Sequence, residues 1–165
     1  MPAFAPQAVA ALEPSTRAYC HELAAALEGQ ERFDAAVGYA QHIPVRVIAR
    51  MLGFPESDGD TFRGFVDHVL EGVDKPMEER AAGMGDLLEY LQTQIRDHRA
   101  NPRDDLTSYL LSADMDGVPV DEFHAGRTMA LLLIAGIDTT WSAIGSSLWH
   151  LATHPDDRRR LVAEP

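Results

Sequence analysis

The feature that most constrains this sequence is an apolar run, Met129-Ala-Leu-Leu-Leu-Ile-Ala135, set inside a helical pattern from about Asp121 to Ala152. A helix that is apolar on every face has to be covered on every face, so the rest of the chain is committed to packing around it. The run is interrupted where it should be strongest. Ala135-Gly136-Ile137-Asp138-Thr139-Thr140 follows directly, and in a helix Gly136 costs about 1 kcal/mol relative to Ala, while Asp138 and each Thr cost up to about 0.7 kcal/mol. A buried acid beside a buried hydroxyl costs more still unless both are hydrogen-bonded. Weakening the most buried helix at one spot points to a local demand.

Elsewhere, apolar residues recur at helical spacing: Leu12, Tyr19, Leu23 and Leu27; Val47, Ile48, Met51 and Leu52; Phe62, Phe65, Val66, Val69 and Leu70; Met84, Leu87, Leu88, Leu91 and Ile95; and, more briefly, Leu106, Tyr109 and Leu110. Gly29, Gly53-Phe54-Pro55, Lys75-Pro76, Asn101-Pro102 and Gly117-Val118-Pro119 punctuate them. Only Arg32 to Val37 could be a short strand. With no internal repeat or flexible linker, residues 1–165 read as one all-α unit built around a long central helix at about 121–152, with at most one short strand.

Composition excludes several functions. Fourteen basic residues against 26 acidic ones, a net charge of −12, argue against nucleic-acid binding, which needs clustered Lys and Arg. Cys20 is the single cysteine, so no intramolecular disulfide forms, and a reducing, cytoplasmic setting fits. The apolar run is far shorter than the ~20 residues that span a bilayer, and Met1-Pro2-Ala3-Phe4 opens no export signal; no membrane anchor is expected. His150 and His154 stand four apart, the spacing of some zinc sites, but no accompanying Glu supports that reading and Pro155 ends the helix.

The interrupted run has a physical reading. Ala135 and Gly136 remove bulk, so a flat ligand could lie close to the backbone. The Thr139 hydroxyl, one turn on, can bond back to the Ala135 carbonyl, a competition with the helix ladder that bends or opens it. Asp138 sets a titratable group beside that opening, able to pass protons inward. Two plainer readings compete: Gly136 as a close-packing residue, and Asp138 as the N-cap of a second helix after a break.

Ala-Gly-Ile-Asp-Thr-Thr resembles the Ala/Gly-Gly-x-Asp/Glu-Thr-Thr pattern in the central helix of cytochrome P450 enzymes. The likeness extends through Trp149-His-Leu-Ala-Thr-His-Pro-Asp156, similar to that family's exit from the helix. Upstream, Phe4-Ala-Pro-Gln-Ala-Val, the segment Ile43 to Pro55 and the run Asp104 to Leu111 resemble successive family helices of the soluble bacterial type. The resemblance implies an internal fragment, roughly the D to J helices, truncated at both ends, since family members are well over twice this length.

On that resemblance the intact enzyme would be a haem b monooxygenase hydroxylating an organic substrate with dioxygen. Ala135, Gly136, Thr139 and Leu131 would face the cofactor, Asp138 and Thr139 would deliver protons, and Leu131 and Ile134 would border the substrate. Helices at about Pro55 to Gly72 and Pro76 to Ala100 would form the substrate lid. A ferredoxin or flavodoxin with its reductase would supply electrons. The family's iron-binding cysteine lies in a glycine loop after the central helix, whereas Cys20 lies in a helical pattern before it, so this chain is expected to hold no metal ligand and to be inactive alone. The rival is a non-catalytic helical module binding a ligand or partner without iron.

Overall fold

The computed structural model describes residues 4–71, 74–115 and 117–164. Its elements run α1 (Pro6–Leu27), a π-helical turn (Ala36–Ala40), α2 (His42–Leu52), a 3-10 turn (Glu56–Asp58), α3 (Gly59–Val66) continuing into a second π turn (Asp67–Glu71), α4 (Met77–Ala100) and α5 (Leu106–Ser112). A hairpin of two-residue strands, β1 (Asp114–Met115) and β2 (Val118–Pro119), leads into α6 (Glu122–Thr153), and α7 (Pro155–Ala163) follows. The segment Arg32 to Val37 forms no strand. Asp34 Oδ1 accepts from the Ala36 and Val37 amides at 2.8 and 3.1 Å, which turns the chain into a helical start instead.

Local chemistry sets the boundaries. Asp105 and Asp121 cap α5 and α6, their carboxylates accepting from the Ser108 and His124 amides at 2.7 and 2.8 Å. Gly53, at φ 71°, supplies the left-handed residue that ends α2. Pro155 opens α7 at a position where a missing amide hydrogen costs nothing.

The helices gather on one side of α6. Ala125, Met129, Leu133, Ile137 and Trp141, spaced by four residues, form a buried stripe that meets Ile48 and Leu52 of α2, Phe62 and Val66 of α3, Leu87, Leu91 and Ile95 of α4, and Leu106 and Leu110 of α5. Thr107 is buried among them, its hydroxyl donating to the Leu52 carbonyl at 2.7 Å. Cover is absent on the opposite side among the described residues, where Leu131 is 67% exposed. Helix α1 lies at the edge and buries no residue completely. At 32 residues α6 exceeds its apolar run because Thr139 to Ser147 continue it; by length and composition alone it could cross a bilayer, and 22% of its most apolar window is buried within the chain.

Candidate functional site

The 135–140 run lies within an unbroken helix, since α6 is helical from Glu122 to Thr153. Asp138 therefore caps no second helix. The Thr139 hydroxyl donates to the Ala135 carbonyl at 2.7 Å, the back-bond expected from the spacing, yet the helix continues through it. That bond commits the Thr139 hydrogen to the backbone and leaves its oxygen free to accept.

One turn of an α-helix separates residues four apart, so Leu131, Ala135 and Thr139 share a stripe, and all three are exposed. Gly136 does not join them. A Cβ built on it would meet Ile48 of α2, with Cδ1 at 3.5 Å and Cγ1 at 3.9 Å, so its bare face is turned toward the α2 crossing. Ile134 is half-buried and packs against the core, and Asp138 is half-buried one position from Thr139, about 100° around the helix. The expected site residues are thus spread over neighbouring faces of one helix rather than converging on a point.

Between α1, α2 and α6 runs an apolar groove of ≈ 1110 Å³. Leu131, Leu132, Ala135, Gly136 and Thr140 form its α6 wall, and Val47, Ile48 and Met51 of α2 stand opposite. Leu131, Ala135 and Gly136 are therefore brought together, while Ile134, Asp138 and Thr139 stand outside the lining. The α2 wall and Thr140 were not expected as site residues. Their signal lay in the apolar spacing 47, 48, 51, which reads equally as ordinary core. Cys20 lines the groove from α1, and burial together with a hydrogen bond to that thiol pushes the Tyr39 phenol above its ordinary range.

Metal-binding groups of three or more His, Cys, Asp or Glu are absent among the described residues. His150 and His154 stack at 4.1 Å, and His150 Nε2 bonds Asp157 Oδ2 at 2.9 Å, which holds that carboxyl below its usual range.

The candidate site is thus a small-residue, alcohol-bearing stripe on the long helix of an all-α scaffold, beside an apolar groove. The family model described as Cytochrome P450 matches residues 44–164, and the chain belongs to that family. It is 36% identical to the Vitamin D(3) 25-hydroxylase of Pseudonocardia autotrophica over 155 residues, covering 93% of this chain and 38% of that protein. It is 34% identical to the Erythromycin C-12 hydroxylase of Saccharopolyspora erythraea, covering 93% of this chain and 40% of that one. Among solved structures it is similar to the ligand-free cytochrome P450 TbtJ1, with a TM-score of 0.85, 35% identity and coverage of 99% of this chain and 44% of that one. The Bacillus subtilis 168 polyketide synthase P450 PksS superposes at a TM-score of 0.91 with 26% identity, covering 99% and 42%. The chain spans about two fifths of the length of these curated relatives.

Proposed function

We propose that this chain is the oxygen-side segment of a haem-thiolate monooxygenase that places one atom of dioxygen in an organic substrate. The observation that carries this reading is the exposed Leu131–Ala135–Thr139 stripe, a bare apolar surface with one hydroxyl, on a chain matched to the family over residues 44–164. A flat macrocycle fits such a stripe, because Ala135 offers only a methyl group between Leu131 and Thr139. Haem, when bound, supplies the iron at which dioxygen is reduced. Leu131 and Ala135 would hold one of its faces, Leu131 with Ile134 would border the substrate, and the iron's thiolate would come from outside this chain, since Cys20 is on α1.

Thr139 and Asp138 would move protons. Thr139 Oγ1 already donates to the Ala135 carbonyl, so it can receive a proton on its free lone pair and pass on its own only by releasing that bond. Asp138, adjacent but on a neighbouring face, would resupply it through a relay rather than by direct contact. Helices α3 and α4 would form the lid over the substrate; Gly72, the expected end of its first part, lies outside the described residues. A ferredoxin or flavodoxin with its reductase would supply electrons to the enzyme in the cytoplasm.

The test uses the intact enzyme that contains this chain. Reduced and exposed to carbon monoxide, it should give the red-shifted band of a thiolate-bound haem, and Thr139→Val should keep that band while diverting reducing equivalents from hydroxylated product to peroxide. An intact protein without the band, or a Thr139→Val variant with unchanged coupling, overturns the reading.

A further inference from the structure

Among the described residues, a buried titratable cluster that no step above uses lies at the C-terminal end of α4. His98 is 1% exposed. Its Nδ1 lies 2.8 Å from the Gln94 carbonyl, which can only accept, so Nδ1 carries a hydrogen. In the neutral ring Nε2 is then a bare acceptor. Two groups face it, Arg103 Nη1 at 3.2 Å and Asp105 Oδ2 at 3.2 Å. The Asp105 side chain is 5% exposed, and while its Oδ1 accepts the Ser108 amide that starts α5, its Oδ2 has no donor in this state. Gly53 closes the other side, since a Cβ there would overlap the Asp105 carboxylate.

We propose that His98 is a proton-gated clasp fixing the base of α4 to α5. With Nε2 bare, Arg103 donates to it and a buried carboxylate oxygen is left without a partner, a costly arrangement. At 3.2 Å, Oδ2 is within ion-pair reach of Nε2 but off the direction of its hydrogen; when Nε2 takes up a proton, a small turn of the carboxylate about the Oδ1–Ser108 bond aligns the two, and the orphaned oxygen is satisfied by a charge-assisted bond across the α4–α5 connection. Arg103, about half exposed, is then displaced from Nε2 but keeps Asp97, its ion-pair partner, and the Gly53 carbonyl at 3.3 Å. The charged groups around the imidazole are Asp105 and Arg103 from the α4–α5 segment and Asp97 beside it on α4; from the α2 side the Phe54 ring packs edge-on at 6.0 Å. Uptake of one proton thus exchanges an exposed partner for a buried one.

The clasp stands on this geometry alone. Only its consequence, a lid helix anchored more firmly at its base once His98 is protonated, rests on the proposed monooxygenase reading. The test is amide hydrogen exchange in the first turn of α5 and the last turn of α4 of the intact protein. Rates are corrected for intrinsic chemistry and followed across the full pH range over which the protein stays folded. Protection should rise toward acid by roughly tenfold, the size of one hydrogen bond to a charged group. His98→Gln can donate to the Gln94 carbonyl but cannot titrate, and should flatten the profile. Asp105→Asn should flatten it too while staying folded, because its carboxamide can donate to the bare Nε2 and still accept from Ser108; if H98Q fails to fold, D105N decides alone. A flat wild-type profile, or a slope that persists in D105N, overturns the clasp. Neither readout requires haem, so failure of the monooxygenase reading leaves the result interpretable.

Discussion

At the scale of single residues, three glycines that look alike in sequence are held by different forces. Gly136 has ordinary room for a methyl group beside Ile48, so the described packing does not require it. Gly136→Ala should raise stability by about 1 kcal/mol through helix propensity alone, read as a shift in denaturant midpoint of the intact protein. Lost turnover in the same variant would place the demand for glycine at whatever occupies the groove; an unstable variant would return it to packing. Gly53→Ala should do the opposite. Its φ of 71° costs a side chain about 1–2 kcal/mol, and the new Cβ would collide with the Asp105 carboxylate, so the midpoint should fall by more than the backbone term. Gly83 belongs with Gly53, because a Cβ there would stand 2.6 Å from His68 Cβ, at the contact between α4 and the turn after α3. Glu56 is a further case in which local partners decide. Burial alone would raise its carboxyl, but bonds from Arg50 and Arg46 hold it below the usual carboxylate range. Its contribution is therefore fully present above the unfolded-state value and lost as pH falls through the lower folded-state value. Glu56→Gln should flatten that acid-side loss in melts of the intact protein, by well under about 1 kcal/mol because the pair is one-third exposed.

At the scale of elements, the parts legible in sequence are those with short-range causes. Asp105 and Asp121 start α5 and α6 because a carboxylate three residues before an amide caps it, and Gly53 ends α2 because it tolerates a left-handed conformation. The back-bond from Thr139 to the Ala135 carbonyl follows from spacing on one helix. What spacing could not settle is which way a helix is turned against its neighbours. Gly136 and Ala135 are adjacent in sequence and both small, yet one faces Ile48 and the other lies exposed, a separation fixed by where α2 crosses α6. The segment 32–37 misled for a related reason: Phe33 and Val37 suit a strand, but Asp34 captures two amides and winds the chain into a helical turn. The buried stripe of α6 carries the strongest element-level prediction. Leu133 is fully buried in the core cluster, so Leu133→Ala should cost about 2–5 kcal/mol in the intact protein, whereas Leu131→Ala, on the exposed face, should be nearly neutral in this chain by itself. A Leu131→Ala penalty as large as that of Leu133→Ala would mean that this face is covered after all.

At the scale of the whole molecule, the asymmetry of α6 decides how these 165 residues behave alone. One side of the helix is packed against α2 to α5 while the other, with Leu131 67% exposed, borders a groove of ≈ 1110 Å³ whose walls are mostly apolar. The helix opposite, α1, has no fully buried residue and is held chiefly by its contacts with α2 and the 36–40 turn, together with the Arg46 guanidinium over the Tyr19 ring at 4.0 Å. An apolar groove left open in this way favours association or ligand capture. The net charge of −12 opposes self-association through repulsion between copies, but salt screens it over about 8–10 Å at physiological ionic strength. Charge and apolar surface therefore make a combined prediction. The isolated chain should bind a hydrophobic dye strongly at all salt concentrations, stay dispersed at low salt and associate as salt rises, observed by dye fluorescence and light scattering in parallel. Its melt should be broad, because α1 can detach from α2 at little cost while the α2–α6 core persists. A sharp cooperative melt with no dye binding would mean that α1 closes the groove and that α6 is covered within these 165 residues.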